Sequence, residues 1–251
     1  MMRLHGKVAI VIGASKGIGA ATAVSLASEG AKVVVNYVSS AEDANKVVEK
    51  IKSNGGTAIA VKADISNKTD VEQLFKLALK EFGHLDILIN NAGVYKYEPF
   101  TEVTEDMFHW HFNANVLGTV LTNQEAVKSF AEKGGVIINV GSVVIHNAAA
   151  GGSIYAASKS AVASLTSTLS KELGPKKIRV NLVNPGATET EGIHNTGIVM
   201  GTGFEEQIKA TSPLGRMGQP QDIASVITFL ASDEAYWVTG ASIDVSGGFR
   251  H

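Results

Sequence analysis

The chain has 251 residues, 45% of them hydrophobic, enough to bury a large core as one α/β domain spanning 1–251. Its 22 basic and 24 acidic residues leave a net charge of -2 with no long like-charged run, so neither nucleic acid nor a membrane surface is implied as a partner. The absence of cysteine excludes disulfides and cysteine catalysis; Met1–Lys7 has no signal-peptide core and no apolar run nears the roughly 18 residues of a membrane helix, so a cytoplasmic protein is expected.

Strands are predicted near 7–12, 32–37, 57–62, 85–90, 135–140, 178–184 and 241–245, separated by helical segments that carry most of the charge. This alternation predicts an α/β, Rossmann-type doubly wound, seven-stranded parallel sheet with helices on both faces. The loops after the strands then collect at one edge.

The first strand, Lys7–Ile12, leads into Gly13-Ala-Ser15-Lys16-Gly17-Ile18-Gly19 and then an apolar-periodic stretch from Ala20 to Ala27. Strand, glycine turn and helix in that order let a pyrophosphate approach the main chain at a helix amino terminus. The spacing is G-x-x-x-G-x-G rather than G-x-G-x-x-G, and an ordinary glycine-rich βα turn is the weaker reading.

The second strand bears on cofactor choice. An NAD site uses a carboxylate about 20 residues beyond the glycines, and Val33-Val-Val-Asn36-Tyr37-Val-Ser39-Ser40 offers none. Lys16 can supply positive charge to a 2′-phosphate, and Asn36, Ser39 and Ser40 can donate hydrogen bonds, so NADP(H) is favoured over NAD(H). Lys16 reads equally as a solvated lysine, and the two serines as a cap for the helix starting at Ala41.

Further along, a helical segment is predicted over about 104–130, and the strand Val136–Val140 precedes Ser142. No G-x-S-x-G surrounds Ser142, so a hydrolase nucleophile is not indicated. Tyr155 and Lys159 are four apart in a predicted helix and share one face, where the ammonium is expected to favour the ionised phenol. An unperturbed phenol, with a pKa of about 10, needs that correction, together with a positively charged cofactor ring, to exchange protons near neutral pH.

The ordered set Gly13-x-x-x-Gly17-x-Gly19, Asp64, Asn90-Asn91-Ala92-Gly93, Asn115, Ser142, Tyr155-x-x-x-Lys159 and Asn184-Pro185-Gly186 with Thr190 resembles the short-chain dehydrogenase/reductase family over nearly the whole chain. Ile12 departs from it, standing where the family often has Thr. The resemblance implies hydride transfer between a nicotinamide and a ketone or secondary alcohol, with no metal required. Catalytic roles then fall to Asn115, Ser142, Tyr155 and Lys159: Ser142 stabilises the developing alkoxide, Lys159 lowers the Tyr155 pKa and binds the nicotinamide ribose, and Asn115 holds a water linking Lys159 to solvent. The cofactor set gains Asp64 and Ile65 near the adenine, with Asn91, Ala92 and Gly93 beside its ribose. Pro185, Gly186, Thr188 and Thr190 would hold the carboxamide. Asn90 is expected to brace strands.

The segment from Ala187 to Ser212 reads as a lid with an apolar inner face, carrying Ile193, Ile198, Val199, Met200 and Phe204. With His146, Ile193, Tyr95, Tyr97 and Trp110 as further pocket candidates, the expected substrates are apolar ketones or keto esters. A 3-oxoacyl-carrier-protein reductase ranks second because Glu98, Glu102, Glu105 and Asp106 would repel an acidic partner. The pattern is also compatible with a sugar dehydrogenase and, in a different class of function, with a non-catalytic dinucleotide-binding regulator. The resemblance implies a homotetramer.

Overall fold

In the computed structural model, residues 2–191 and 203–249 are described. Seven strands, β1 (Val8–Ile12), β2 (Lys32–Tyr37), β3 (Thr57–Lys62), β4 (Ile87–Asn90), β5 (Gly135–Val140), β6 (Ile178–Pro185) and β7 (Ser242–Val245), form one sheet of order β3-β2-β1-β4-β5-β6-β7. Every pairing is parallel, with Ile10 opposite Val34 on one side and Leu88 on the other. The chain reverses its winding at β1, between β2 and β4, which is where such sheets open a crevice at their carboxyl edge.

All five residues of β1 are buried, as a central parallel strand requires. Successive side chains of a strand point to opposite faces, so Ala9 and Val11 join one core while Val8, Ile10 and Ile12 join the other. The first core is covered by α1 (Gly17–Ser28), α2 (Ala41–Ser53) and, near the carboxyl terminus, Ile223, Ile227 and Leu230 of a helix at Pro220–Ala231. The second lies under α3 (Lys68–Phe82), through Val71, Leu74, Phe75 and Ala78 at helical spacing. Asn67 caps α3 by accepting from the Thr69 and Asp70 amides, and Gly83, at φ 85°, ends it in the left-handed conformation.

The segment expected to be one helix over about 104–130 is interrupted. It comprises α4 (Glu105–Phe112), a π turn at Asn113–Leu117 and α5 (Gly118–Ser129). Such a bulge rotates the following side chains relative to a regular helix and commonly marks a functional position. Here it carries Asn115. Then follow α6 (Ser153–Leu173), α7 (Gly203–Thr211) and α8 (Pro220–Ala231). No helix among the described residues is long and apolar enough to cross a membrane.

Candidate active site

Four loops meet at the carboxyl edge of the sheet, after β1, β4, β5 and β6. The glycine turn after β1 is packed so closely that side chains are excluded. A Cβ on Gly13, whose φ is 65°, would stand 2.9 Å from Ala92, and one on Gly19 would run into the Gly13 carbonyl oxygen. Asn91 donates to the carbonyls of Gly13 at 2.9 Å and Ile12 at 3.3 Å, so its amide holds the turn itself. Thr190 faces the turn from the loop after β6, its Cγ2 3.2 Å from where a Gly17 Cβ would lie. Ser15 is partly buried, and Ile18 packs its side chain on the core, leaving its backbone at the turn. The cradle fits a dinucleotide: main chain is exposed at a helix amino terminus, where a pyrophosphate is stabilised, and no Cβ fills the approach.

Asn36 does not offer its amide to a ligand. It is 1% exposed, accepts from the Gly13 amide at 3.2 Å and donates to the carbonyls of Val61 at 3.3 Å and Ala63 at 3.1 Å. The expected phosphate donor is instead a brace joining β1, β2 and β3, because its side chain points into the sheet rather than off its edge. Ser39 is exposed, and Ser40 precedes α2 without making a side-chain cap. Tyr37 is partly buried against the core. Lys16 lies in the turn with its Nζ 2.9 Å from the Asp43 carboxylate of α2.

Asp64 folds its Oδ1 onto Ser66, accepting from its amide at 2.9 Å and its hydroxyl at 2.7 Å, a loop-stabilising arrangement. Ile65 is buried against Gly118, where a Cβ would be 2.6 Å from its Cδ1. Asn90 forms the expected brace: it donates to Asn123 at 2.7 Å and Asn139 at 2.9 Å and accepts from Thr122. A Cβ on Gly93 would meet Lys159 Nζ at 3.0 Å and Asn115 Oδ1 at 3.3 Å, so this glycine makes room for both.

Asn115, Ser142, Tyr155 and Lys159 converge. Asn115 accepts from the Val94 amide at 2.8 Å and donates to the Val94 carbonyl and the Ser158 hydroxyl, each at 2.9 Å. Both amide hydrogens are thereby used, and the main-chain carbonyl accepts from the Thr119 hydroxyl at 2.8 Å, so a water at Asn115 would take a second lone pair of one of its two oxygens. Ser158 in turn donates to the Tyr155 carbonyl at 2.7 Å. Ser142 caps the short turn Val143–Ile145, its hydroxyl oxygen accepting from the Val144 amide at 3.4 Å, and it neighbours the Tyr155 phenol, whose ionised form it favours.

The rings of Tyr95, Tyr97 and His111 stand 5.8, 6.4 and 6.4 Å from that of Tyr155. Burial pushes the Tyr155 phenol up to about 12, with the neighbouring Ser142 hydroxyl opposing the shift. The expectation that Lys159 lowers it is not met in the protein alone. The Lys159 ammonium instead donates to the Val140 carbonyl at 2.9 Å, and its own burial pulls it down to about 8.

Gly186 donates to Val245 at 3.0 Å and is packed so that a Cβ would lie 2.8 Å from Ser246. Thr188 is buried and donates to the Gly186 carbonyl, fixing the bend after Pro185. His146 is not gathered with the catalytic set: it is exposed and contacts Asp244 of β7 at 3.3 Å. Trp110 is 47% exposed and packs edge-on against His111. Ile193, Ile198, Val199 and Met200 lie outside the described residues, as does the side chain of Phe204.

Three residues of the site, Ser158, His111 and Asp43, carry no signal of their own in the sequence. Ser158 is marked only by adjoining Lys159. His111 accepts from the Lys96 amide at 3.1 Å and bonds the Met107 carbonyl, thereby holding the Lys96–Tyr97 loop, a role its spacing to His109 conceals. A cavity of about 500 Å3 opens at the opposite edge of the sheet, but its Lys7 and Lys133 are paired with Asp233 and Asp86, and Arg179 is held by the Ser232 and Val238 carbonyls.

A family model described as "Enoyl-(Acyl carrier protein) reductase" matches residues 13–250. An uncharacterised oxidoreductase of Methylorubrum extorquens is 50% identical over 250 residues, covering 100% of both chains. A versicolorin reductase of Emericella nidulans is 41% identical, covering 98% of this chain and 96% of its own. Among solved structures, a short-chain dehydrogenase from Burkholderia cenocepacia in complex with NADP aligns with a TM-score of 0.91 at 35% identity, covering 98% of each chain. A 7α-hydroxysteroid dehydrogenase complexed with NADH aligns at 0.93 and 37% identity, over 99% of this chain and 96% of its own. With likeness of sequence and of fold running from end to end, the chain belongs to the short-chain dehydrogenase/reductase family, whose members are oxidoreductases.

Proposed function

We propose that the protein is an NADP(H)-dependent carbonyl reductase acting on apolar ketones or keto esters. The observation that carries this reading is the buried Tyr155 phenol, set beside Ser142 and walled by the rings of Tyr95, Tyr97 and His111. When bound, the nicotinamide supplies the hydride. Ser142 and Tyr155 hold the carbonyl oxygen, and Tyr155 delivers its proton to that oxygen as alkoxide charge develops.

Lys159, fixed by Val140, presents a buried positive charge beneath the same site, where it helps hold the cofactor ribose. A proton path from Lys159 through Asn115 would run over a water held by one of the Asn115 oxygens, since both amide hydrogens are already donated to Val94 and Ser158. Pro185, Gly186, Thr188 and Thr190 orient the carboxamide. Lys16, with no carboxylate in β2, supports the choice of NADP(H).

The relatives named as reductases, a versicolorin reductase among them, accord with the reductive direction. The exposed Glu102, Glu105 and Asp106 beside that wall weigh against an acidic carrier protein. Purified protein should oxidise NADPH with apolar ketones and keto esters, and much more slowly with an acetoacetyl thioester; glucose oxidation or a preference for NADH would overturn the corresponding part. The same reading extends to a homotetramer, supported by Phe100 at 75% exposure and Leu117 at 41% near the π turn, and light scattering giving a monomer would refute it.

A further inference from the structure

The cofactor edge holds a carboxylate after all, contributed by α2 rather than by β2. Asp43 is the third residue of α2, and Ser40-Ala-Glu-Asp43 has the spacing of a capping box, in which Asp43 would reach back to the helix start while Ser40 capped it. Ser40 makes no such cap, and Asp43 turns toward the glycine turn, bringing its Oδ2 to 2.9 Å from Lys16 Nζ. Its other oxygen lies 3.4 Å from Lys46, which also pairs with Glu42 at 2.7 Å. The hydrogen bond from Lys16 holds the Asp43 carboxyl below its ordinary range, so it stays ionised at neutral pH. Lys16 is the single cation of the glycine turn, and Asp43 already occupies it.

We propose that Asp43 is a built-in competitor for Lys16 that lowers the affinity for the adenosine 2′-phosphate and so limits the preference for NADP(H) over NAD(H). The inference rests on the assignment of Lys16 as the phosphate-binding cation. An incoming phosphate dianion must take Lys16 from Asp43 and then lie beside a like charge. A 2′-hydroxyl carries no charge and leaves the pair intact. Lys46 eases the exchange by receiving the released carboxylate, which is why the pair restrains phosphate binding without abolishing it. Specificity is therefore a difference between two anions competing for one cation.

The test is calorimetric binding of 2′,5′-ADP and 5′-ADP to the full chain, alongside fluorescence titration with NADPH and NADH. Asp43→Asn keeps the side-chain shape and removes the charge. It should tighten 2′,5′-ADP and NADPH by about tenfold, the scale of one close charge pair in a partly exposed setting, while leaving 5′-ADP and NADH nearly unchanged. Lys16→Met should weaken 2′,5′-ADP, and adding Asp43→Asn to it should restore little, since the competitor acts through the lysine. Glu42→Gln, one residue away and paired with Lys46 but not with Lys16, should give at most a small gain for 2′,5′-ADP, well short of that of Asp43→Asn.

If Lys16→Met weakens 2′,5′-ADP but Asp43→Asn leaves the ratio of the two ligands unchanged, the competitor is refuted and the NADP(H) assignment stands. An equal gain from Glu42→Gln also refutes it, by reducing the effect to general surface charge. If wild type and Lys16→Met bind the two ADP derivatives without discrimination, the NADP(H) assignment falls, and the role of Asp43 with it.

Discussion

The Lys159 ammonium donates to the Val140 carbonyl oxygen at 2.9 Å, tying a buried charge to the last residue of β5, two positions before Ser142. One lysine thus links α6, which carries Tyr155, to the strand end that carries Ser142. The proton donor and the group beside it are held in register by this cross-link rather than by the helix alone.

Tyr155→Phe should remove the proton donor while leaving the fold intact, because the phenyl ring still packs on Tyr95 and Tyr97. Turnover is expected to fall by about 10²–10⁴-fold, the contribution of a positioned general acid. NADPH binding measured by fluorescence should stay within a fewfold of wild type; retained turnover would remove Tyr155 from the mechanism.

The pH dependence of stability carries a signature of both buried groups. Lys159 titrates at about 8 in the folded chain against 10.5 normally, so between those values the unfolded chain holds a proton that the folded one has released, and stability rises with pH. Tyr155, raised from 10.0 to about 12, retains its proton in the folded state over that interval, and its contribution is lost as pH climbs through it. Urea unfolding should show Lys159→Met lacking the rise between pH 8 and 10.5, a slope of at most about 1.4 kcal/mol per pH unit. Parallel curves for the two proteins would contradict the buried charge.

Gly19→Ala places a methyl group against the Gly13 carbonyl oxygen and 2.5 Å from Asn91 Nδ2. Neither neighbour can retreat without opening the glycine turn. The variant should lose about 1–3 kcal/mol of stability, as overpacked sites do, together with most of its dinucleotide affinity. Thermal unfolding with and without NADPH measures both effects, and a variant that still gains stability from the cofactor as wild type does would show that the turn can open to admit a methyl group.

Asn36→Asp distinguishes a brace from a phosphate ligand. Replacing the amide nitrogen by a carboxylate oxygen sets it against the carbonyls of Val61 and Ala63, at 3.3 and 3.1 Å in the wild type. The expected loss is at least about 1–3 kcal/mol, the penalty for a broken buried hydrogen bond. Denaturant midpoints should drop sharply. A stable variant that merely switched from NADPH to NADH would return Asn36 to the phosphate site.

What could be read from the chain alone was set by near neighbours. The β-branched run of β1, the glycines after it and the four-residue spacing of Tyr155 and Lys159 each follow from local backbone geometry, because strand and helix periodicity are properties of a few consecutive residues. The alternation of strands and helices then implied the parallel sheet and its functional edge, and the residues expected to collect there largely do. Partnership across the fold was another matter. That Asn36 turns inward to Val61 and Ala63, that Lys159 faces Val140, and that Asp43 reaches Lys16 instead of capping its own helix depends on how separate elements pack. A polar side chain has several partners within reach of its rotamers, and burial selects among them only once the chain has closed around it. The π turn at Asn115 belongs to the same class: α4 and α5 read as one continuous helix until α6 and the Val94 loop pull Asn115 into its bonds.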